Sequence, residues 1–121
     1  MDSSRRIKAS NKQEQPFLYL TTKGWKTGGE HRIEIWFVSY GDKYYILSER
    51  REKAHWVQNI THNSRVMFTV NTNSFEGKGR IIDINTNSKL AEEVSNLMHT
   101  KYGWSDGLIV ELTPYKEQAD S

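Results

Sequence analysis

Short apolar runs that alternate with polar residues recur along the chain and predict six β-strands. In residues 31–40, Arg32 and Glu34 alternate with Ile33 and Ile35, so one face of this strand points to a core and the other to a surface. The predicted strands cover residues 17–22, 31–40, 43–48, 64–71, 75–84 and 108–113, with glycine or polar turns between them.

Two segments have helical spacing instead. Residues 52–63 place Lys53, Val57 and Ile60 on one face, with Trp56 beside Val57, and predict a short helix. Residues 87–102 carry an apolar stripe, which predicts a longer helix packed on the sheet; the stripe consists of Leu90, Val94, Leu97 and Met98.

The element order βββ-α-ββ-α-β predicts a mainly β (α+β) protein in which antiparallel hairpins dominate. Short strands of this kind usually close into a barrel, because closure removes exposed edges. Gly77 and Gly79 interrupt the fifth strand and predict a bulge or a close approach of another backbone. A chain of 121 residues supports one core. We expect a basic arm at 1–16, one domain at 17–115 and a tail at 116–121.

Composition narrows the possible chemistry. The chain has no cysteine, which excludes disulfides, thiolate catalysis and cysteine-based metal sites. The four histidines do not have the spacing of a metal site, and we predict no metal. Residues 1–15 contain no apolar leader, and no apolar stretch is long enough to span a bilayer, so we expect a cytoplasmic protein.

Charge is distributed unevenly along the sequence. Residues 1–73 hold 12 Lys and Arg against 7 Asp and Glu, whereas residues 74–121 hold 5 against 8. The basic first part indicates an anionic partner, either a nucleic acid or a phosphorylated small molecule.

The glycine-rich segment 24–29 is the first candidate for such a site. Its small residues let backbone N–H groups approach an anion, Lys26 and Arg32 supply positive charge, and Thr27 supplies a hydroxyl donor. These features are typical of a phosphate cradle, although a plain hairpin turn with solvated lysines has the same composition.

A second candidate is the charged segment 48–56, which runs from the end of a strand into a helix. Cations and helical N–H donors lie side by side there, and a solvated loop is the alternative. His55 is a candidate donor or stacking partner in the pocket. No serine lies in the context of a catalytic nucleophile, so an enzyme of this sequence would need a bound cofactor.

Taken in order, these motifs resemble the deazaflavin-dependent nitroreductase and quinone-reductase family. Residues 18–32 (LYLTTKGWKTGGEHR) are similar to the start of that family, and residues 54–66 (AHWVQNITHNSRV) to its later conserved segment. The resemblance covers residues 17–113 and extends, more loosely, to the flavin-binding split barrels related to pyridoxamine phosphate oxidase. It implies a six-stranded antiparallel split β-barrel with two helices.

The resemblance also implies which residues hold a cofactor. Residues of the glycine-rich segment would line the phosphate or side chain, strand two would lie along the ring, and residues 48–56 would close the site. The predicted cofactor-binding residues are Trp25, Lys26, Thr27, Arg32, Glu34, Ile35, Trp36, Ser48, Arg50, Arg51, His55, Trp56 and Asn59. Tyr102 and Trp104 are predicted to line the substrate pocket. Glu34 would need a cation near a reduced ring, with Arg32 or Arg50 as candidates.

Three functions remain open from sequence. The first is an oxidoreductase that uses the deazaflavin coenzyme F-420 to reduce a small quinone-like, nitro or enone acceptor, acting as a homodimer. The second is a split barrel that binds FMN, as an oxidoreductase or a flavin carrier. The third is a nucleic-acid-binding barrel, which we do not expect, because Tyr44 and Tyr45 point to opposite faces and the basic residues cluster in loops.

Overall fold

Six strands and two helices follow one another in the predicted order in a computed structural model, which describes residues 16–115. The predicted arm at 1–16, apart from Pro16, and the predicted tail at 116–121 lie outside the described residues. The elements are β1 Phe17–Lys23, β2 Glu30–Tyr40, β3 Lys43–Ser48, a 3-10 turn Arg51–Lys53, α1 His55–His62, β4 Arg65–Val70, β5 Asn73–Ile81, α2 Ser88–Tyr102 and β6 Leu108–Pro114.

All six strands pair antiparallel and close into a barrel in the order β1-β2-β3-β6-β5-β4. The closing pair is β1 with β4, in which Tyr19 lies opposite Thr69 and Thr21 opposite Met67. The predicted split-barrel fold is confirmed. Closure between strands that are distant in sequence pairs both edges of the sheet that residues 16–115 form.

Alternate residues of the strands fill the barrel interior. Leu18 and Leu20 of β1 are fully buried, while their neighbours Phe17 and Tyr19 are only half-buried. The interior cluster consists of Leu18, Leu20, Phe37, Ile46, Ile60, Val66, Phe68, Val70, Val110 and Leu112. It includes the predicted core face of β4 and the inward-facing Ile60 of α1.

Helix α2 packs on the outside of the barrel. Its buried residues Val94 and Met98 form a second apolar cluster with Tyr45 of β3 and Ile82. Tyr44 packs against the interior cluster, so the two adjacent tyrosines point to opposite faces as predicted. Leu97, predicted in the buried stripe, is 36% exposed. Val94 and Met98 are at the centre of the buried face of α2. Because a helix turns ~100° per residue, Leu97 lies at the margin of that face.

The two glycines of β5 mark close approaches and not a bulge. A Cβ at Gly77 would lie 2.3 Å from the carbonyl oxygen of Thr113, and one at Gly79 would lie 3.1 Å from Ile60. The β5–β6 register is continuous from Gly77 through Gly79 to Ile81. The strand covers 73–81 instead of 75–84, because the chain leaves the sheet after Ile81.

Helix α1 is shorter than the sequence predicts. Ala54 has an extended backbone, with φ −64° and ψ 137°, and separates α1 from the 3-10 turn before it. Arg51 opens that turn with a left-handed φ of 54°. Residues 51–53 therefore form a separate, exposed turn and do not continue the helix.

Candidate cofactor-binding site

A cleft of about 730 Å³ opens at one side of the barrel. Its walls come from the start of β1, the middle of β2, the end of β3, the turn that follows β3, the start of α1 and the segment after α2. The lining residues are Phe17, Glu34, Ile35, Trp36, Leu47, Ser48, Glu49, Arg50, Lys53, Ala54, His55, Trp56 and Trp104. A volume of this size lies within the ~300–1,000 Å³ range of small-molecule sites.

An aromatic wall forms one side of the cleft. The indole of Trp36 is 44% exposed and lies parallel to the ring of Tyr102, with centroids 4.4 Å apart and an interplanar angle of 4°. Trp104 meets Trp36 edge-on, with centroids 6.0 Å apart. Trp56 enters from α1 and packs against the barrel core. Three indoles therefore border one cleft, an arrangement suited to a planar ring.

Sequence alternation explains how β2 contributes to this wall. Glu34 and Trp36 fall on the outward face, and half-buried Ile35 lies between them and packs against the interior cluster. Phe17 stands opposite Trp36 in the β1–β2 register. Sequence reasoning missed Phe17, because its place in the cleft follows from that register.

Charged side chains form the rim. Arg50 and Lys53 line the cleft together with Glu34 and Glu49. Among residues 16–115, neither cation forms an ion pair, and Glu34 pairs with neither Arg32 nor Arg50. Two cations at the rim are thus available to an anionic ligand.

Ser48 and Arg51 hold the turn that carries this rim. Buried Ser48 donates from Oγ to the carbonyl oxygen of Arg51 at 2.9 Å. The Arg51 guanidinium points elsewhere and donates to Asp106 at 2.8 Å. A Cβ at Gly107 would lie 2.8 Å from the Ser48 carbonyl oxygen, so this glycine allows the segment after α2 to pack beside β3.

The glycine-rich turn 24–29 does not line the cleft. Trp25 stacks on His62 at the end of α1, with centroids 4.0 Å apart, whereas His55 at the start of α1 lines the cleft. The two ends of this helix are roughly 10 Å apart at ~1.5 Å per residue. The two predicted halves of the site are therefore separated by one short helix.

Hydrogen bonds within the protein use most of the turn's amides. Gly24 donates to the Gly29 carbonyl and Gly28 to the Gly24 carbonyl, both at 2.7 Å. The Gly29 amide donates to Oγ1 of Thr27, and the Trp25 amide to Oδ1 of Asn59, both at 3.2 Å. Within the described part of the chain, only the Lys26 and Thr27 amides of this turn lack an acceptor.

Three further predicted residues have clear positions. Asn59 is 4% exposed and joins the turn to β1 by donating to Thr22 at 3.0 Å. Arg32 lies over the ring of Tyr19 at 4.5 Å, and Lys26 over Trp25 at 5.1 Å. Neither cation forms an ion pair with a carboxylate in residues 16–115.

The structure thus brings together eight of the fifteen predicted residues in the cleft. These are Glu34, Ile35, Trp36, Ser48, Arg50, His55, Trp56 and Trp104. The other seven lie outside its lining: Trp25, Lys26, Thr27, Arg32, Arg51, Asn59 and Tyr102. Tyr102 lies behind the cleft wall, in contact with Trp36.

A cluster of charged and hydrogen-bonded side chains with shifted pKa values lies outside the cleft. Tyr45 donates to Glu111 at 2.8 Å, and the Nε of Arg80 donates to the same carboxylate at 3.0 Å. Burial raises the pKa of Glu111, but the hydrogen bonds from Arg80 and Tyr45 outweigh it, so the pKa is below its usual value. Burial and the bond to Glu111 raise the pKa of Tyr45. This cluster links β3, β5 and β6.

Among residues 16–115, no three histidine or acidic side chains are close enough together to hold a metal ion. In the same range, neither helix has the length and apolar character needed to cross a membrane.

Known proteins place this barrel and sequence in context. The sequence profile of the family described as F420H(2)-dependent quinone reductase matches residues 3–105. No curated protein matches the sequence.

Several solved structures share the fold. A FAD-binding protein from Mesorhizobium loti has a TM-score of 0.66 at 12% identity, over 86% of this chain and 84% of that one. An F420-H2 dependent reductase has a TM-score of 0.58 at 19% identity, over 81% and 94%. A structure described as a domain-swapped dimer has a TM-score of 0.60 at 17% identity, over 82% and 81%. At these identities the structures show the fold alone.

The family profile spans most of the chain and includes both segments that the resemblance rested on. The chain therefore belongs to the F420H(2)-dependent quinone reductase family and is an oxidoreductase.

Proposed function

We propose that this oxidoreductase binds the reduced deazaflavin coenzyme F-420, with the ring in the cleft, and reduces a small quinone-like, nitro or enone acceptor. The observation that carries the proposal is the meeting of an aromatic wall and a cationic rim in one cleft, at Trp36 on one side and at Arg50 and Lys53 on the other. The family of the chain supports the same cofactor.

The residues present fit the chemistry of that coenzyme. Its ring is planar and mostly apolar, and the indoles of Trp36, Trp56 and Trp104 offer flat apolar surface around a cleft of sufficient volume. Its phosphate and carboxylate tail require cations. Arg50 and Lys53 at the rim could receive the nearer anionic groups.

The glycine-rich turn fits the remote end of the tail. Lys26 and Arg32 bring two further cations, and the amides of Lys26 and Thr27 are unused within the described residues. A ligand that reaches both ends of α1 must span roughly 10 Å beyond its ring. A long-tailed coenzyme meets that demand, whereas FMN ends at its phosphate.

When bound, the reduced deazaflavin supplies the hydride, and the side chains of the cleft bind, orient and exclude water. Trp36 and Trp56 would cover the ring, and Ile35 would close its floor. His55 is exposed at the cleft mouth and could donate a hydrogen bond to a polar group of the ligand. Trp104, which lines the cleft, is the proposed contact for the acceptor.

An FMN-dependent reaction is the second candidate. The barrel resembles that of a FAD-binding protein, so a flavin ring is compatible with the fold. The two cofactors differ in their tails, since FMN ends at its phosphate. Lys26 and Arg32, which lie away from the cleft, would therefore bind the carboxylate tail of the deazaflavin and have no partner on FMN.

We also propose that the protein acts as a homodimer. The outward faces of β2 and β4 leave large apolar side chains exposed, including Trp36 at 44% and Met67 at 47%. A second copy would help to cover the open cleft, and a structure of the same fold is described as a domain-swapped dimer. Light scattering at micromolar concentration should give twice the mass of one chain.

Titration of the purified protein with F-420 and with FMN tests the cofactor. F-420 should bind more tightly, and the loaded enzyme should reduce a soluble naphthoquinone. The double variant Arg50→Ala/Lys53→Ala should weaken F-420 binding, whereas Lys89→Ala, which removes an exposed cation of α2, should not. Tighter binding of FMN throughout, or equal effects of the two changes, would contradict the proposal.

A further inference from the structure

Tyr102, in the last turn of α2, lies behind the aromatic wall of the cleft. Its ring is parallel to the indole of Trp36 at 4.4 Å, yet Tyr102 is absent from the residues that line the cleft. One face of the indole is thus covered by Tyr102, while the side chain as a whole stays 44% exposed toward the cleft. Tyr102 therefore acts on a ligand only indirectly, and Trp36 is the cleft residue that its ring contacts.

The hydroxyl of Tyr102 ties this wall to two strands. It accepts a hydrogen bond from the amide of Phe37 at 3.0 Å and lies 2.9 Å from the Phe37 carbonyl oxygen. It also hydrogen bonds to the carbonyl oxygen of Pro16, just before β1. A tyrosine hydroxyl has one proton, so it donates to one of these carbonyls at a time. The contacts attach α2 to β2 one residue after Trp36.

The neighbours of Tyr102 strengthen the same attachment. The Nζ of Lys101 donates to the Phe37 carbonyl at 2.9 Å. Gly103 then ends the helix with a left-handed φ of 75° and donates to the His99 carbonyl at 2.8 Å. This turn reverses the chain and brings Trp104 edge-on to Trp36. The end of α2 therefore supports Trp36 on a face and an edge.

We infer that Tyr102 is a positioning residue that holds the Trp36 indole in the orientation required by a planar ring bound in the cleft. The inference rests on the proposed function, since it assumes such a ring. An indole on the outward face of a strand can otherwise occupy several χ1 rotamers. Stacking on Tyr102 selects one of them before the ligand arrives, which lowers the ordering cost of binding.

A binding cycle tests whether Tyr102 acts through Trp36. Tyr102→Leu should weaken F-420 binding by about 3- to 10-fold, the range expected for loss of an aromatic pair. In a Trp36→Leu background the same change should have no further effect, because the side chain it positions is gone. Tyr102→Phe keeps the ring and should bind within about twofold of the wild type. Tyr40→Leu, on the same strand as Trp36, is the matched control.

A second measurement needs no ligand. Labelling with 5-fluorotryptophan gives one fluorine NMR resonance for each of the four tryptophans, and Trp36→Phe identifies that of Trp36. Tyr102→Leu should shift and broaden this resonance, while Tyr102→Phe and Tyr40→Leu should leave it in place. If Tyr102→Leu does not fold, Tyr102→Met removes the ring with a more adaptable side chain.

The outcomes separate this inference from the proposed function. If wild-type protein binds no deazaflavin but the Trp36 resonance responds to Tyr102→Leu, the cofactor proposal fails and the positioning role stands. An unchanged Trp36 resonance overturns the positioning role whatever the protein binds. So does equal weakening by Tyr102→Leu with and without Trp36, because Tyr102 would then act independently of the indole.

Discussion

Asn59, in the middle of α1, donates a hydrogen bond from Nδ2 to Oγ1 of Thr22 on β1 at 3.0 Å, and both side chains are buried. The Oδ1 of the same side chain accepts the amide of Trp25. One amide group thus connects the helix, the first strand and the glycine-rich turn. This geometry makes Asn59 a structural residue that holds the glycine-rich turn against β1.

Replacing Asn59 should therefore destabilise the fold. Asn59→Ala leaves a buried hydroxyl and a partly buried amide without their partner, and we expect a loss of about 1–3 kcal/mol in the free energy of unfolding. Urea denaturation measures it. Asn96→Ala, at an exposed position of α2, serves as the control. Equal stability of the two variants would contradict the structural role.

The cations of the glycine-rich turn should contribute directly to affinity. We expect Lys26→Ala and Arg32→Ala each to weaken F-420 binding by about 1–3 kcal/mol, the cost of losing a charge-assisted bond to an anion. Fluorescence titration gives the dissociation constants, with Lys89→Ala for comparison. Unchanged affinity in both variants would mean that the segment is only a turn.

The N-terminal residues offer a test that separates the two cofactors. Arg5, Arg6, Lys8 and Lys12 precede β1 and could meet the carboxylates of a long tail. Exposed ion pairs contribute only about 0–1 kcal/mol each, so deletion of residues 2–12 should weaken F-420 binding modestly, at low salt, and leave FMN affinity unchanged. If the deletion affects neither ligand, the arm does not take part in binding.

The Glu111 cluster should shape the dependence of stability on pH. The pKa of Glu111 is lowered in the folded protein. Its ionised form therefore contributes fully to the free energy of unfolding above the unfolded pKa of about 4.3, and this contribution is lost as the pH falls below that value. The pKa of Tyr45 is raised, so its contribution is complete below about pH 10 and is lost as the pH rises.

Variants isolate these two contributions. Relative to the wild type, Glu111→Gln should lose stability near neutral pH and show a shallower decline in acid, and Tyr45→Phe should show a shallower decline above pH ~10. Thermal unfolding across the pH range measures both. If melting temperature depends on pH in the same way in the wild type and in both variants, at acid and at alkaline pH, Glu111 and Tyr45 do not make these contributions.

The close approach at Gly77 should make that position intolerant of a side chain. A Cβ would lie 2.3 Å from the Thr113 carbonyl oxygen, so the β5–β6 pair must shift, and we expect Gly77→Ala to cost about 1–3 kcal/mol. At Gly29 the nearest atom to a Cβ is 3.6 Å away, and Gly29→Ala should be nearly neutral. Similar melting temperatures for the two variants would show that the strands adjust freely.

The sequence by itself determined the elements and their order. Alternation is a local property, so Val66, Phe68 and Val70 reveal the inner face of β4 without knowledge of its neighbours. The same reasoning separates Tyr44, which packs against the interior cluster, from Tyr45, which belongs to the cluster under α2. These inferences hold because each depends on residues close together in the chain.

Tertiary structure decided how those pieces meet. The pairing of β1 with β4 and the register that sets Phe17 opposite Trp36 depend on long-range contacts. Spacing could not show that Tyr102 stands behind Trp36, because that follows from the way α2 crosses the sheet. Composition marked the glycine-rich turn as a cradle, yet hydrogen bonds within the fold occupy most of its amides. A residue type shows what a group can bind, whereas the fold decides which partner reaches it first.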